Sequence, residues 1–251
     1  MSVVPGKIRL AVVGASGRMG EAVLRFARAD HLNFEVVCEI SEGEDFGDIA
    51  RKQATVVIDF SRPEATLALA AIAATSGAAL VVGTTGLDAT AENALVAASE
   101  KTAIFAATNL SVGVYVLGVL AERAAKMLGE DFDIEIVETH HKRKVDSPSG
   151  TALTLGKNLQ ESRHRLTHLV NGREGNVGPR SPHEIGMHAV RGGDVIGDHT
   201  VHFFGQGERI ELTHRATNRD LFASGALRAA CWVATKSPGF YGMRDMMSEI
   251  I

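Results

Sequence analysis

The chain has 251 residues, of which 45% are hydrophobic and 22% charged, with a formal net charge of −4. These values sit near the average for a soluble globular protein and exclude a disordered polymer, a collagen-like repeat and a disulfide scaffold. An acidic chain lacks the footprint of a general nucleic-acid binder. Cys38 and Cys231 lie far apart with no CxxC, so neither a disulfide framework nor a zinc ribbon is indicated. The departure from average is glycine, at 26 residues, with only ten Phe, two Tyr and one Trp. That profile of tight turns around an aliphatic core belongs to an α/β enzyme, in one large or two small domains.

The first ten residues do not fit a signal peptide, because Arg9 breaks the first apolar run. Two charge-poor stretches, 65–87 and 102–121, raise the question of a membrane span. Polar breaks at Thr75-Ser76-Gly77 and at Thr108, Asn109 and Ser111 interrupt them before the ~20 apolar residues a spanning helix needs. A soluble cytoplasmic protein with no membrane partner is expected.

Strand and helix patterns alternate through the first half. Strands are predicted at Ile8–Val13, Phe34–Glu39, Thr55–Phe60, Ala79–Val82 and Ala103–Ala107. Helices are predicted at about Met19–Ala29, after Pro63, and over 91–101. Near-continuous apolar strands separated by helices imply a parallel sheet covered on both faces. Beyond about residue 111 the pattern changes to a helix at about 114–128, a strand at 133–139 and a helix at about 151–162. A long loop (164–182) and three strands (184–191, 195–204, 208–216) follow, with the short glycine links 192–194 and 205–207 read as antiparallel hairpins. A helix over 220–236 closes the chain and is expected to pack on the first half. The predicted fold is therefore α/β: a Rossmann-type parallel-sheet domain (1–110 and 219–251), and a second α+β domain (111–218) with a mixed, largely antiparallel sheet.

Gly14-Ala15-Ser16-Gly17-Arg18-Met19-Gly20 joins the first strand to the first helix. Glycines at that junction permit the tight turn and let the helix N-terminus approach a pyrophosphate, and Arg18 adds a charged donor. A carboxylate about 20 residues on would bind the ribose diol. Glu39, Ser41 and Glu42 all fall there, so the choice between NAD and NADP stays open.

The densest chemistry lies at Glu138-Thr139-His140-His141-Lys142-Arg143-Lys144-Val145-Asp146-Ser147-Pro148-Ser149-Gly150-Thr151-Ala152. Two imidazoles and three cations precede a helix start at which Ser149 is a natural N-cap. Backbone N–H groups at such a start bind anions, and His and Lys move protons, so the segment reads as a pocket for a small carboxylate. The Lys-Arg-Lys run repels a cation and no metal spacing is present, so no metal is expected.

This segment resembles the signature E-x-H-H-x-x-K-x-D-x-P-S-G-T-A of the dihydrodipicolinate reductase family. The likeness extends to Gly14…Gly17-Arg18-Met19-Gly20, Asp59-Phe60-Ser61-Arg62-Pro63, Gly83-Thr84-Thr85-Gly86, Asn109-Leu110-Ser111-Val112-Gly113 and Arg191-Gly192-Gly193-Asp194. The resemblance implies a cytoplasmic enzyme of lysine and diaminopimelate biosynthesis. Such an enzyme reduces the dicarboxylate 4-hydroxy-tetrahydrodipicolinate to tetrahydrodipicolinate and water with NADH or NADPH, as a homotetramer assembled through the second domain. It further implies that His140 is the acid/base residue and Lys144 the proton donor, assisted by neighbouring cations. By the same resemblance His141, Ser149, Gly150 and Thr151 hold substrate. Gly14, Ala15, Ser16, Gly17, Arg18, Met19, Gly83, Thr84, Thr85, Ala107, Thr108, Asn109 and Leu110 meet the cofactor, with Leu110 where many members carry Phe. The alternative is another two-domain Rossmann dehydrogenase of an amino-acid-like substrate, which has no need of the 140–151 pattern. A nucleotide-sensing regulator would have no need of His140 and Lys144.

Overall fold

The computed structural model describes residues 6–249, so residues 1–5, which entered the signal-peptide reading, lie outside it. In chain order it comprises β1 (Ile8–Val13), α1 (Arg18–Ala29), β2 (Phe34–Ile40), α2 (Asp48–Arg51), β3 (Val56–Asp59), α3 (Pro63–Ser76), β4 (Ala79–Val82), α4 (Ala89–Ser99), β5 (Ala103–Ala106) and α5 (Val112–Leu128). There follow β6 (Asp133–His140), α6 (Gly150–Ser162), β7 (His168–Asn171), β8 (Glu184–Arg191), β9 (Gly197–Gly205), β10 (Glu208–Ala216), α7 (Asp220–Val233), β11 (Gly239–Tyr241) and α8 (Met243–Ser248). The chain divides into two compact units: residues up to Val112 together with those from Arg219 onward, and Gly113–Asn218. Among the described residues no helix is long and apolar enough to cross a membrane.

The first unit holds a six-stranded sheet, ordered β11-β5-β4-β3-β1-β2 with every pairing parallel. Its central strands are buried throughout and apolar without alternation, as in Ala79–Val82 and in Val56–Asp59 up to its terminal aspartate, because helices cover both faces. Pro63 occupies the first turn of α3, where its missing N–H costs nothing. The chain runs outward from β1 to β2 and then returns to β3 on the other side of β1. That reversal opens a crevice at the carboxyl ends of β1 and β3, where open α/β sheets take ligands.

The second unit holds a five-stranded sheet ordered β10-β9-β6-β8-β7. It is mixed: β10–β9 and β9–β6 are antiparallel, β6–β8 and β8–β7 parallel. One face packs Ile134, Ile136, Met187, Val201 and Phe203 against Leu117, Ala121, Leu155 and Leu159 of α5 and α6.

Three features depart from the sequence expectations. Residues 192–196 do not form a hairpin between adjacent strands; they cross the end of β6, which lies between β8 and β9. The Gly192 N–H donates to the His140 carbonyl (2.9 Å) and the Lys142 N–H to the Gly193 carbonyl (3.3 Å), so the glycine link wraps the His140 end of the strand. Strand β7 emerges within the expected loop 164–182, paired parallel to β8. The short elements α2, β11 and α8 carry no periodic signal of their own and exist by packing on the first unit.

Candidate active site

In the first unit, Gly14 ends β1 at φ 79, in the left-handed region, and a Cβ there would collide with the Phe60 carbonyl. Gly20 lies so close to the Gly14 carbonyl that it too has no room for a side chain, which seats α1 tightly against the turn. Ser16, Gly17 and Arg18 are exposed at the start of α1, while Ala15 is buried and Met19 half-buried. Met19, Gly83, Ala107, Thr108, Asn109 and Leu110 line one hollow of about 230 Å³ together with Phe60 and Phe222. Four separate connections thus converge at the carboxyl edge of the sheet. Thr84 is buried; its hydroxyl accepts from the Ser61 N–H (2.9 Å) and ties two of these connections together. Thr85 lies beside it on a second, more apolar hollow with Leu87, Leu95 and Phe240. Leu110 is 2% exposed and offers the hollow little aliphatic surface.

The ribose candidates separate. Glu39 is paired with Arg28 in the last turn of α1, the end opposite the glycine turn. Ser41 donates its backbone N–H to Glu44, and Glu42 forms an exposed ion pair with Arg62 (2.7 Å) across the carboxyl edge of β1.

In the second unit, strand alternation puts Glu138 and His140 on the same face as Ile134 and Ile136, at the carboxyl end of β6. The buried Glu138 carboxylate accepts from His140 Nδ1 (2.5 Å), from both terminal nitrogens of Arg191 (2.8 Å each) and from the Ser149 N–H (3.1 Å). Burial raises the Glu138 carboxyl, but the bonds from Arg191 and His140 outweigh it and hold it below its ordinary value. Burial pushes the His140 imidazole below 6.5, Glu138 opposes this, and Lys144 and Arg191 add to it. His199, 2% exposed, crosses the His140 ring edge-on at 5.2 Å between centroids and is held neutral by burial, with a pKa of about 4.

Ser149 is the N-cap of α6; its hydroxyl accepts from the Ala152 N–H (3.2 Å) and meets His199 Nε2 (3.3 Å). Those contacts engage the hydroxyl within the protein, leaving exposed Gly150 and the adjacent Thr151 to present the helix N-terminus. His141, directly after β6, is half-buried. Lys144 pairs with Asp146, 2.9 Å from Nζ, and Lys142 and Arg143 are exposed. Sequence reasoning places Arg191 only within a turn and does not single out His199. Their signal was register: Arg191 pairs with His140 across β6–β8, and His199 with Glu138 across β6–β9.

A parallel sheet with a glycine turn at its reversal point, joined in one chain to a unit bearing a carboxylate–histidine pair beside a helix start, defines a two-unit nucleotide-dependent oxidoreductase. Comparison with known proteins narrows the class. Family models described as the N-terminus and the C-terminus of dihydrodipicolinate reductase match residues 8–110 and 113–247. The 4-hydroxy-tetrahydrodipicolinate reductases of Thiobacillus denitrificans and Myxococcus xanthus are each 44% identical to it over 96% of this chain, spanning 98% and 97% of their own lengths. The fold matches a dipicolinate-bound dihydrodipicolinate reductase from Paenisporosarcina sp. TG-14 with a TM-score of 0.76 at 23% identity, over 96% of this chain and 99% of that one. The chain belongs to the dihydrodipicolinate reductase family and is an NAD(P)H-dependent oxidoreductase. The coenzyme fits the first unit on its own geometry: a side-chain-free turn at Gly14 and a helix start at Gly17–Met19 form an anion cradle.

Proposed function

We propose that the chain reduces 4-hydroxy-tetrahydrodipicolinate to tetrahydrodipicolinate and water in lysine and diaminopimelate biosynthesis, with the roles divided between its units. The observation that carries this reading is the Glu138–His140 pair at the mouth of a Ser149-capped helix, in a chain of this family. In the first unit (residues 1–110 with 219–251 in the sequence reading), Gly14–Met19, Gly83–Thr85 and Ala107–Leu110 hold the coenzyme, which when bound supplies the hydride. In the second, the N-terminus of α6 at Gly150 and Thr151 receives a substrate carboxylate, with His141 beside it. Lys144 gives the proton that accompanies reduction, and His140 exchanges a proton at its ring nitrogen. Ser149 acts by shaping the helix start more than by direct contact.

The ribose position falls to Ser41 and the Glu42–Arg62 pair. An ion pair this exposed contributes at most about 1 kcal/mol, so Arg62 is available to a 2′-phosphate, and both coenzymes are accepted. Arg62→Ala is expected to raise KM for NADPH about tenfold, the scale of one charge-assisted hydrogen bond, with NADH within about twofold.

We place the enzyme in the cytoplasm and assemble it as a homotetramer through the second unit. The support for assembly is the sheet face opposite α5 and α6, which presents Val190 and Phe204 at 47% and 38% exposure; sedimentation of the purified chain tests it. The test of the activity is a coupled assay: dihydrodipicolinate synthase supplies substrate, and NADH and NADPH oxidation are followed separately. Oxidation dependent on that substrate, inhibited competitively by pyridine-2,6-dicarboxylate, is expected; oxidation with neither coenzyme would sink the assignment.

A further inference from the structure

We propose that Glu138, clamped by Arg191, is a positioning residue that fixes which nitrogen of His140 exchanges the proton. The inference rests on the reading of His140 as the acid/base residue and adds to it the group that aims it.

The Glu138 carboxylate is 1% exposed and receives four hydrogen bonds. Guanidinium and backbone N–H groups only donate, and an ionised carboxylate only accepts. The fourth partner must therefore donate too, so Nδ1 of His140 carries the hydrogen. In the neutral ring that leaves a lone pair at Nε2. Nε2 lies over Gly197, where a Cβ would stand 2.9 Å away, so the absent side chain keeps that nitrogen approachable.

Arg191 supplies the other half of the device. A lone buried carboxylate beside an imidazole would hold it as imidazolium. The two-pronged guanidinium offsets that charge, so Glu138 orients the ring without protonating it. The groups facing His140 are Glu138 on its own strand, Arg191 on β8, Lys144 in the following turn and neutral His199 on β9, with His214 of β10 behind His199. Only Glu138 favours the charged ring. The consequence is a neutral imidazole of one tautomer at pH 7, poised to take or pass a proton at Nε2.

The test begins with the unaltered enzyme. Nitrogen-15 spectra of histidine-labelled protein at pH 7 are expected to show His140, assigned by its loss in His140→Gln, as the Nδ1–H tautomer. An Nε2–H form there overturns the proposal before Glu138 is altered. In Glu138→Gln the amide oxygen keeps the Ser149 N–H and one prong of Arg191, and the amide nitrogen faces His140 Nδ1 beside the other prong, so the ring proton moves to Nε2. That variant is expected to lose about 10²-fold in kcat with KM for the substrate within about threefold. The acid limb of its kcat/KM profile shifts to lower pH, because the anion favouring the charged ring is gone. Glu138→Asp keeps a carboxylate and is expected to retain the tautomer and recover about tenfold of the loss. An unchanged tautomer with kcat within threefold in Glu138→Gln overturns the inference. Near-full turnover in His140→Gln instead condemns the acid/base reading on which it rests, while the tautomer measurement still decides the role of Glu138.

Discussion

His140→Ala and Lys144→Ala are each expected to lower kcat by about 10²-fold or more, the usual scale for a group that moves a proton in the rate-limiting transition state. Neither change should unfold the chain. Lys144 projects from a turn with its side chain 22% exposed and makes one ion pair, to exposed Asp146, of a kind that contributes little to stability. His140 is more buried, but its loss leaves Glu138 with the Arg191 fork and the Ser149 N–H, so no unpaired charge remains inside. Circular dichroism and thermal melts should match the parent to within a few degrees, and coenzyme binding, which belongs to the other unit, should be unchanged. The double variant should be only slightly worse than the weaker single one, because residues serving one proton relay do not add. Full turnover in Lys144→Ala would remove it from the proton-donor role, whatever His140 then showed.

The parallel sheet was legible in the sequence because both of its faces are buried. Val56–Asp59 and Ala79–Val82 contain a single polar residue, Asp59, and one helix, opened by Pro63 and closed by Gly77, separates them. The second sheet was legible as a set of strands but not as a topology. A two- or three-residue glycine link reads as a hairpin, and nothing local says that β6, more than 40 residues earlier in sequence, will insert between β8 and β9. That insertion is what brings Arg191 and His199 to His140. The candidate site was accordingly legible where it is contiguous, from His140 to Thr151, and illegible where it depends on register between strands. Glu138 illustrates the boundary: its spacing of two from His140 on a strand already placed both on one face, yet its clamp comes from a residue 53 positions away. Short elements such as β11, three residues long, have no pattern to read and are held by the edge of β5.

Glu135→Ala is expected to destabilise the second unit by about 3 kcal/mol or more, the scale of a buried ion pair that loses one partner. Glu135 lies on the face of β6 opposite His140 and is 9% exposed. It binds Arg173 (2.8 and 3.1 Å), Arg180 (2.8 Å) and His188 (2.6 Å), and Gly186 beside it has no side chain because the carboxylate fills that space. Arg180 also donates to the Ile134 and Glu184 carbonyls, so the carboxylate ties the 172–182 segment down onto the sheet. Removing it brings three cationic or protonatable groups together with only Asp133 and Glu184 to offset them. Limited proteolysis should cut within 172–182 in the variant and not in the parent. Burial raises the Glu135 carboxyl, but Arg173, Arg180 and His188 outweigh it and bring it from 4.5 down to about 2. A carboxyl depressed in the folded state contributes stability that is fully present above its unfolded value and lost as pH falls through the folded one. The contribution should therefore fade between about pH 4.5 and 2, by up to about 3 kcal/mol from this group. Glu135→Gln keeps the shape but cannot titrate, so its urea midpoint should fall less than the parent's between pH 6 and 3. Equal losses in the two would assign the acid sensitivity to other carboxylates, among them Asp133 and Glu184, which also hold Arg180 and Arg173.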